Sequence, residues 1–257
     1  MKINLFGERN TGTNWLASLL ERSGHTVDTQ DKHLYRAKTS GHMRDPFDDP
    51  LNSAFPLNHK RYIEHYKLND AKAVIYLCKN PLSWLKSMNR QPYHLHGLTE
   101  MIDGNPCNLL MDKFLRSKAN EYSGTSTEFH SGVAVDQVGN YKNIIEIRNE
   151  KNKFFKGVAG LLTNCHVIRY EDLLFKTGET LSKLGLNIED QPDKEYHTGY
   201  HPARRSMPKT FSEKNRKYYK DEEYLQEFST EDKIFILNNL DIELEYWLGY
   251  DLHNFFK

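Results

Sequence analysis

Near the start of the chain, Gly7-Glu8-Arg9-Asn10-Thr11-Gly12-Thr13-Asn14 gathers the residue types that hold an anion. The Gly7-x-x-x-x-Gly12 spacing matches the opening of the phosphate-binding pattern G-x-x-x-x-G-K-S/T. The pattern then breaks, with Thr13 at the lysine position and Asn14 at the Ser/Thr position. In NTPases that lysine reaches the β/γ-phosphates and the hydroxyl holds Mg²⁺. A loop that keeps the cradle without this equipment suits a nucleotide with a shorter anionic tail, used without an obligatory metal. Arg9 is the nearest fixed positive charge, and Thr11 and Thr13 add hydroxyl donors. The stretch by itself is met equally well by an ordinary strand–helix turn containing glycine.

The elements around the loop follow from hydrophobic spacing. Ile3, Leu5 and Phe6 form a short apolar run, read as a buried strand, and Trp15, Leu16, Leu19 and Leu20 recur at helical spacing. A strand–turn–helix aims the helix's first free N–H groups, and the positive end of its dipole, at the loop. Gly24 is expected to cap this helix. Lys72–Cys78 reads as an interior strand running into Lys79-Asn80-Pro81, with Pro81 at the first position of a helix over Leu82–Asn89. On that helix Trp84, Leu85 and Met88 lie to one side and Ser83 and Ser87 to another. Cys165–Tyr170 is a third apolar strand, followed at once by Glu171-Asp172. Further helices are expected over 61–68, 109–119, 138–155, 180–184, 221–228 and 230–240. The stretch 191–219 is polar and basic, with Arg204, Arg205, Lys209, Lys214, Arg216 and Lys217.

Strands alternating with helices imply an α/β, P-loop-type three-layer fold with a central parallel β-sheet flanked by helices. Ligands collect at the carboxyl ends of such strands, so the loop, Lys79 and the Arg169–Asp172 turn should meet on one edge. The length fits a single domain spanning residues 1–257, with long loop insertions near 35–59, 91–108 and 120–134.

The 35 basic and 35 acidic residues balance, so no global positive field points to nucleic acid. The Tyr-rich stretch 216–224 therefore reads as packing rather than base stacking. Cys78, Cys107 and Cys165 lack C-x-x-C spacing, which argues against a disulfide framework or cysteine zinc site. His94-x-His96 and His197-x-x-x-His201 lack an evident third metal ligand. No apolar run reaches membrane-spanning length, and the expected location is the cytoplasm.

Three segments together resemble the sulfotransferases that use 3′-phosphoadenosine 5′-phosphosulfate (PAPS). Asn10-Thr11-Gly12-Thr13-Asn14-Trp15-Leu16 resembles the family's loop for the 5′-phosphosulfate. Lys79-Asn80-Pro81-Leu82-Ser83-Trp84-Leu85-Lys86-Ser87 is similar to its second motif, whose opening basic residue and closing serine bind the 3′-phosphate. Ile168-Arg169-Tyr170-Glu171-Asp172-Leu173 resembles its strand-end Tyr-Glu-Asp-Leu segment. The resemblance implies a PAPS-dependent sulfotransferase with PAPS as donor and 3′-phosphoadenosine 5′-phosphate as product. It assigns Arg9, Asn10, Thr11, Gly12, Thr13, Asn14 and Trp15 to the nucleotide's 5′ side and Lys79 and Ser87 to its 3′-phosphate. Arg216 and Lys217 would stand for the basic residues that the family supplies from a late loop, although the family's Arg-Lys-Gly signature is absent. Many members carry lysine where Asn10 stands; Arg9 or Lys32 is the candidate for the leaving-group cation here.

Sulfuryl transfer is an in-line displacement, so positioning and electrostatic stabilisation should dominate by analogy with phosphoryl transfer. A base must take the acceptor's proton. His33 is the first choice, with Lys32 beside it, then His94, then Glu8. Tyr93 and His94 are the expected acceptor-side residues. The acceptor is expected to be a carbohydrate, or another small hydroxylated molecule, sulfated on a hydroxyl or an amine. Two other readings stay open: a P-loop kinase-like phosphotransferase, which Thr13 and Asn14 disfavour, and a non-catalytic nucleotide-binding protein of the same fold.

Overall fold

The computed structural model describes residues 2–8, 11–28, 59–90, 101–102, 105–106, 110–120, 140–186, 188 and 213–252. In chain order these form β1 (Lys2–Gly7), α1 (Thr13–Arg22), β2 (Thr26–Asp28), α2 (His59–His65), β3 (Ala73–Cys78), α3 (Pro81–Asn89), β4 (Met101–Ile102), β5 (Asn105–Pro106) and α4 (Met111–Arg116). They continue with β6 (Ala119–Asn120), β7 (Asn140–Tyr141), α5 (Ile144–Ala159), β8 (Cys165–Arg169), α6 (Tyr170–Ser182), α7 (Glu213–Lys220), α8 (Thr230–Asn239) and α9 (Ile242–Trp247). The elements divide into two compact units that the chain enters alternately, passing between them after residues 42, 62, 80, 161 and 224.

The first unit holds a four-stranded sheet in the order β2-β1-β3-β8, parallel throughout. It also holds α1, α6 and α7. The sheet is thus the parallel α/β arrangement that the alternation of elements predicts. All six residues of β3 are buried, and β1 is buried from Ile3 to Gly7. Near-continuous apolar runs are what strands covered on both faces require. Edge strand β8 is only half-buried over most of its length. One residue breaks the pattern. Asn4, fully buried on central strand β1, has no hydrogen-bond partner for either amide atom among the described residues.

Lys79 and Asn80 follow β3 directly, and the pairing of Cys78 with Arg169 sets what they meet. Carried one step further, the register sets Lys79 opposite Tyr170 and Asn80 opposite Glu171, where the partner chain has already turned into α6.

The second unit is helical, built on α3, α4, α5, α8 and α9 with the short ladders β4–β5 and β6–β7. Its ends are well capped: Asn143 accepts from the amides of Ile145 and Glu146 at α5, and Ser229 and Asp232 form a reciprocal capping box at α8. In its interior Arg148 is enclosed with Glu245, Nη2 to Oε2 2.8 Å, while Nε donates to Oε1. Trp84 lies under the guanidinium at 5.2 Å.

Several expected boundaries shift. The helix expected over 138–155 begins only at Ile144, because residues 140–141 pair with β6 and Asn143 caps the start. The helix expected over 109–119 is reduced to Met111–Arg116, since Ala119 joins that same ladder. The helix expected over 180–184 belongs to α6, which starts at Tyr170 and runs to Ser182 with non-helical backbone at Lys176. Tyr170-Glu171-Asp172 is therefore a first helical turn rather than a free turn. The segment 221–228 forms a 3₁₀ turn over Glu223–Glu227. Within the polar, basic stretch, for which the spacing predicts no element, Glu213–Lys220 is helix α7. On α3 the two serines are as buried as the apolar side, so no face of that helix is polar in the way its spacing suggested. Among the described residues, no helix is long and apolar enough to cross a membrane.

Candidate anion-binding site

The carboxyl ends of β1, β3 and β8 converge as the sequence predicts. After Gly7 the chain folds back on itself. A Cβ at Gly7 would lie 2.7 Å from the Leu77 carbonyl oxygen of the neighbouring strand, 2.7 Å from Thr13 Cγ2 and 2.9 Å from Thr11 Oγ1. Only glycine permits this closure. The Thr11 hydroxyl donates to the Glu8 carbonyl at 2.7 Å, which pins the loop's far side. Gly12 then takes the left-handed conformation, φ 88°, at the N-cap of α1, and its carbonyl accepts the first helical bond from Leu16. A side chain there is strained and would press on the Tyr170 ring, 3.1 Å from a built Cβ. Thr11, Thr13, Trp15 and Glu8 are all buried. The described residues thus form a glycine-dependent turn leading into a helix N-terminus, a position whose backbone dipole favours an anion.

Tyr170 joins this loop to Lys79. Its ring packs beside Gly12, and the Lys79 ammonium sits 4.8 Å from its centroid. Tyr219 of α7 supplies a second face, 5.3 Å from the same nitrogen, and the two tyrosine rings are 5.1 Å apart. Lys79 is only 4% exposed. A desolvated cation over aromatic faces gains about 2 kcal/mol from the ring quadrupoles. The Tyr170 hydroxyl accepts from Asn215 Nδ2 at 2.9 Å, which ties α7 to α6 at this point. Glu171 turns its carboxylate to the backbone N–H of Asn80, 3.1 Å away. Further along α7, Tyr218 and Tyr219 pack on Tyr224, whose hydroxyl is held in its neutral form by burial first, then by Glu222 and Glu171.

The other expected residues fare differently. Arg216 and Lys217 lie on helix α7, not on a loop. Arg216 donates to the Leu174 carbonyl at 3.3 Å and faces Glu213, whereas Lys217 is exposed. Ser87 belongs to the second unit, where its hydroxyl donates to the Ser83 carbonyl at 2.9 Å and accepts from Arg90 at 3.4 Å. Arg9, Asn10, Lys32, His33, Tyr93 and His94 lie outside the described residues, as does the side chain of Asn14. Among the described residues, no group of three or more His, Cys, Asp or Glu side chains is placed to hold a metal ion.

Sequence reasoning missed Tyr219, Asn215 and the roles of Tyr170 and Glu171. The signal for the last two was present. Two parallel strands ending in Cys78 and Arg169 set Lys79-Asn80 beside Tyr170-Glu171. Tyr219 was hidden in a basic stretch whose helical period the charges obscure.

Comparison of the chain with protein-family models, curated proteins and solved structures finds no match.

Proposed function

We propose that the chain is a sulfotransferase that takes its sulfuryl group from PAPS and delivers it to a hydroxyl or amine of an acceptor, a carbohydrate being the favoured class. One observation carries the reading: a glycine-closed loop at a helix N-terminus lies beside a buried lysine at the end of the next strand, and Tyr170 touches both. A nucleotide with phosphates on two sides of its ribose needs two separate anion sites of this kind.

The residues present fit such a ligand. The chain has no room for a Cβ at Gly7 and passes through Gly12 into the N-terminus of α1. Thr13 replaces the Walker lysine, which a ligand lacking β/γ-phosphates does not require. Thr11, Gly12 and Thr13 would hold the 5′ side, and Lys79 the 3′-phosphate. The sequence motif adds Ser87 to the latter role. The donor supplies the activated sulfuryl group. The chain's part is to bind and orient it, to balance charge with Arg9 or Lys32, and to take the acceptor's proton, a role assigned to His33 ahead of His94 and Glu8.

Isothermal titration in EDTA with 3′-phosphoadenosine 5′-phosphate, beside ADP, tests the reading. Micromolar or tighter binding of the first and little of the second is expected. Equal or absent binding, or binding that requires Mg²⁺ and ATP, overturns it. Single substitution of His33, Arg9 and Lys32 without loss of turnover in any would remove the catalytic assignment.

A further inference from the structure

We infer that Glu171 is a positioning residue for anion binding by Lys79, a reading that rests on the proposed role of that lysine. The β3–β8 ladder ends where Cys78 stands opposite Arg169. Beyond that point α6 begins, so the backbone that would have continued the ladder has turned into a helix. The Asn80 amide is left at the sheet's end, immediately before Pro81, which has no N–H of its own. The Glu171 carboxylate accepts from that amide at 3.1 Å and so continues the strand pairing by one step with a side chain. Hydrogen bonds from a backbone N–H to an ionised carboxylate are among the stronger ones.

The geometry makes this bond a clamp on Lys79. Cys78, on one side of the lysine, is held by the ladder, and its thiol contacts the Ile168 carbonyl oxygen at 3.4 Å. Asn80, on the other side, is held by Glu171. With both neighbours fixed, the Lys79 side chain is delivered onto the rings of Tyr170 and Tyr219. Consecutive residues of one helical turn therefore act on consecutive residues of the strand end. Tyr170 receives the ammonium, and Glu171 fixes the backbone that carries it. The function assigned to Glu171 is geometric and needs an acceptor oxygen rather than a negative charge. A negative charge near a site for anions would by itself oppose binding, so geometry and charge pull in opposite directions and can be separated.

The test uses the full chain with Glu171→Ala, Glu171→Gln, Lys79→Ala and the Glu171→Ala/Lys79→Ala double variant. Two probes are titrated, 3′-phosphoadenosine 5′-phosphate and sodium sulfate, with AMP as the ligand lacking a 3′-phosphate. Glu171→Ala should weaken the bisphosphate about tenfold, a typical loss for one charged hydrogen bond. Glu171→Gln keeps the acceptor oxygen and should bind within about twofold of the parent. The double variant should be no weaker than Lys79→Ala alone, since the two act through one contact. AMP affinity should be unchanged in all four. Amide hydrogen exchange at Asn80 should quicken in Glu171→Ala and not in Glu171→Gln.

Glutamine behaving like alanine, multiplicative losses in the double variant, or equal loss of AMP binding would each overturn the positioning role. If the parent fails to bind the bisphosphate but binds sulfate through Lys79 with the same pattern across variants, the nucleotide reading falls and the clamp stands. If neither probe depends on Lys79, both fall.

Discussion

Two of the buried cations among the described residues stand in different surroundings. Arg148, in the helical unit, is enclosed with the Glu245 carboxylate in a two-point ion pair, with Trp84 beneath it. Lys79, at the end of a central strand of the sheet unit, is buried against the faces of Tyr170 and Tyr219 and lies next to a glycine loop. The first arrangement neutralises its charge where it stands. The second holds its charge in place at the edge where α/β sheets take ligands. Cys165 marks a third outcome of burial. Its thiol, with the solvation of its anion removed, is pushed up to about 12 and simply stays neutral. A buried cation has a carboxylate beside it in one place and aromatic faces beside it in another, while the thiol does not ionise.

Breaking the ion pair should give the largest effect. Arg148→Met or Glu245→Leu leaves one buried charge without its partner and should cost about 3–5 kcal/mol of folding stability, read by urea unfolding. The double variant should recover most of that loss, because a well-packed apolar pair replaces both charges. If the single and double variants unfold alike, the pair is not the closed unit described. Lys79→Ala should act on binding instead, costing about 1.5–3 kcal/mol for 3′-phosphoadenosine 5′-phosphate by titration calorimetry. A loss of stability as large as that of Arg148→Met would make Lys79 a structural cation as well, and erase the contrast.

Gly12→Ala sharpens the comparison from the other side of Tyr170. Left-handed backbone costs an L-residue about 1–2 kcal/mol, and the added methyl presses on the ring that carries Lys79. Stability and bisphosphate affinity should therefore fall together, whereas Lys79→Ala lowers mainly the affinity. The smallest effect concerns Cys165. Its folded pKa lies above the unfolded value of 9.0, so its contribution to stability is complete below pH 9 and is lost as pH rises through the interval up to about 12. Thermal melts of Cys165→Ala should show a shallower decline with pH across that interval. Parallel curves would mean that the thiol already ionises in the fold.

The sheet was legible because its signal is redundant. Val74 to Leu77 are all apolar and all buried, and any register that buries them makes a strand. The loop was legible in spacing, because a Cβ has no place at Gly7 and the positive φ at Gly12 strains any side chain there. Long-range company was harder to read. Nothing around Tyr219 announces that it will meet a lysine at the end of a strand far earlier in the chain. The serines of α3 read as a polar face because hydroxyls count as polar in a spacing argument, yet Ser87 satisfies its donor on the Ser83 carbonyl of its own helix and so can be buried. Helix α5 was placed too early because Tyr141 has the right spacing for a helix but pairs in β7 instead.

The ladder between β3 and β8 has a consequence for how the protein is made. The Cys78 thiol and the Ile168 carbonyl that meet at its end lie 90 residues apart in sequence. The whole of α3, α4 and α5 is translated between them. A nascent chain that has emerged as far as α5 can assemble local helical contacts, but Lys79 has no Tyr170 ring to meet and the Asn80 amide no Glu171 carboxylate. Closing so long a loop is slow, and parallel pairing across it leaves an apolar strand exposed meanwhile. Until β8 emerges, β3 can pair only along its β1 side. The lysine's surroundings are completed only after β8 and α6 have left the ribosome, so a chain stalled before them carries Gly7 and Gly12 without the tyrosine that packs beside Gly12 and Lys79.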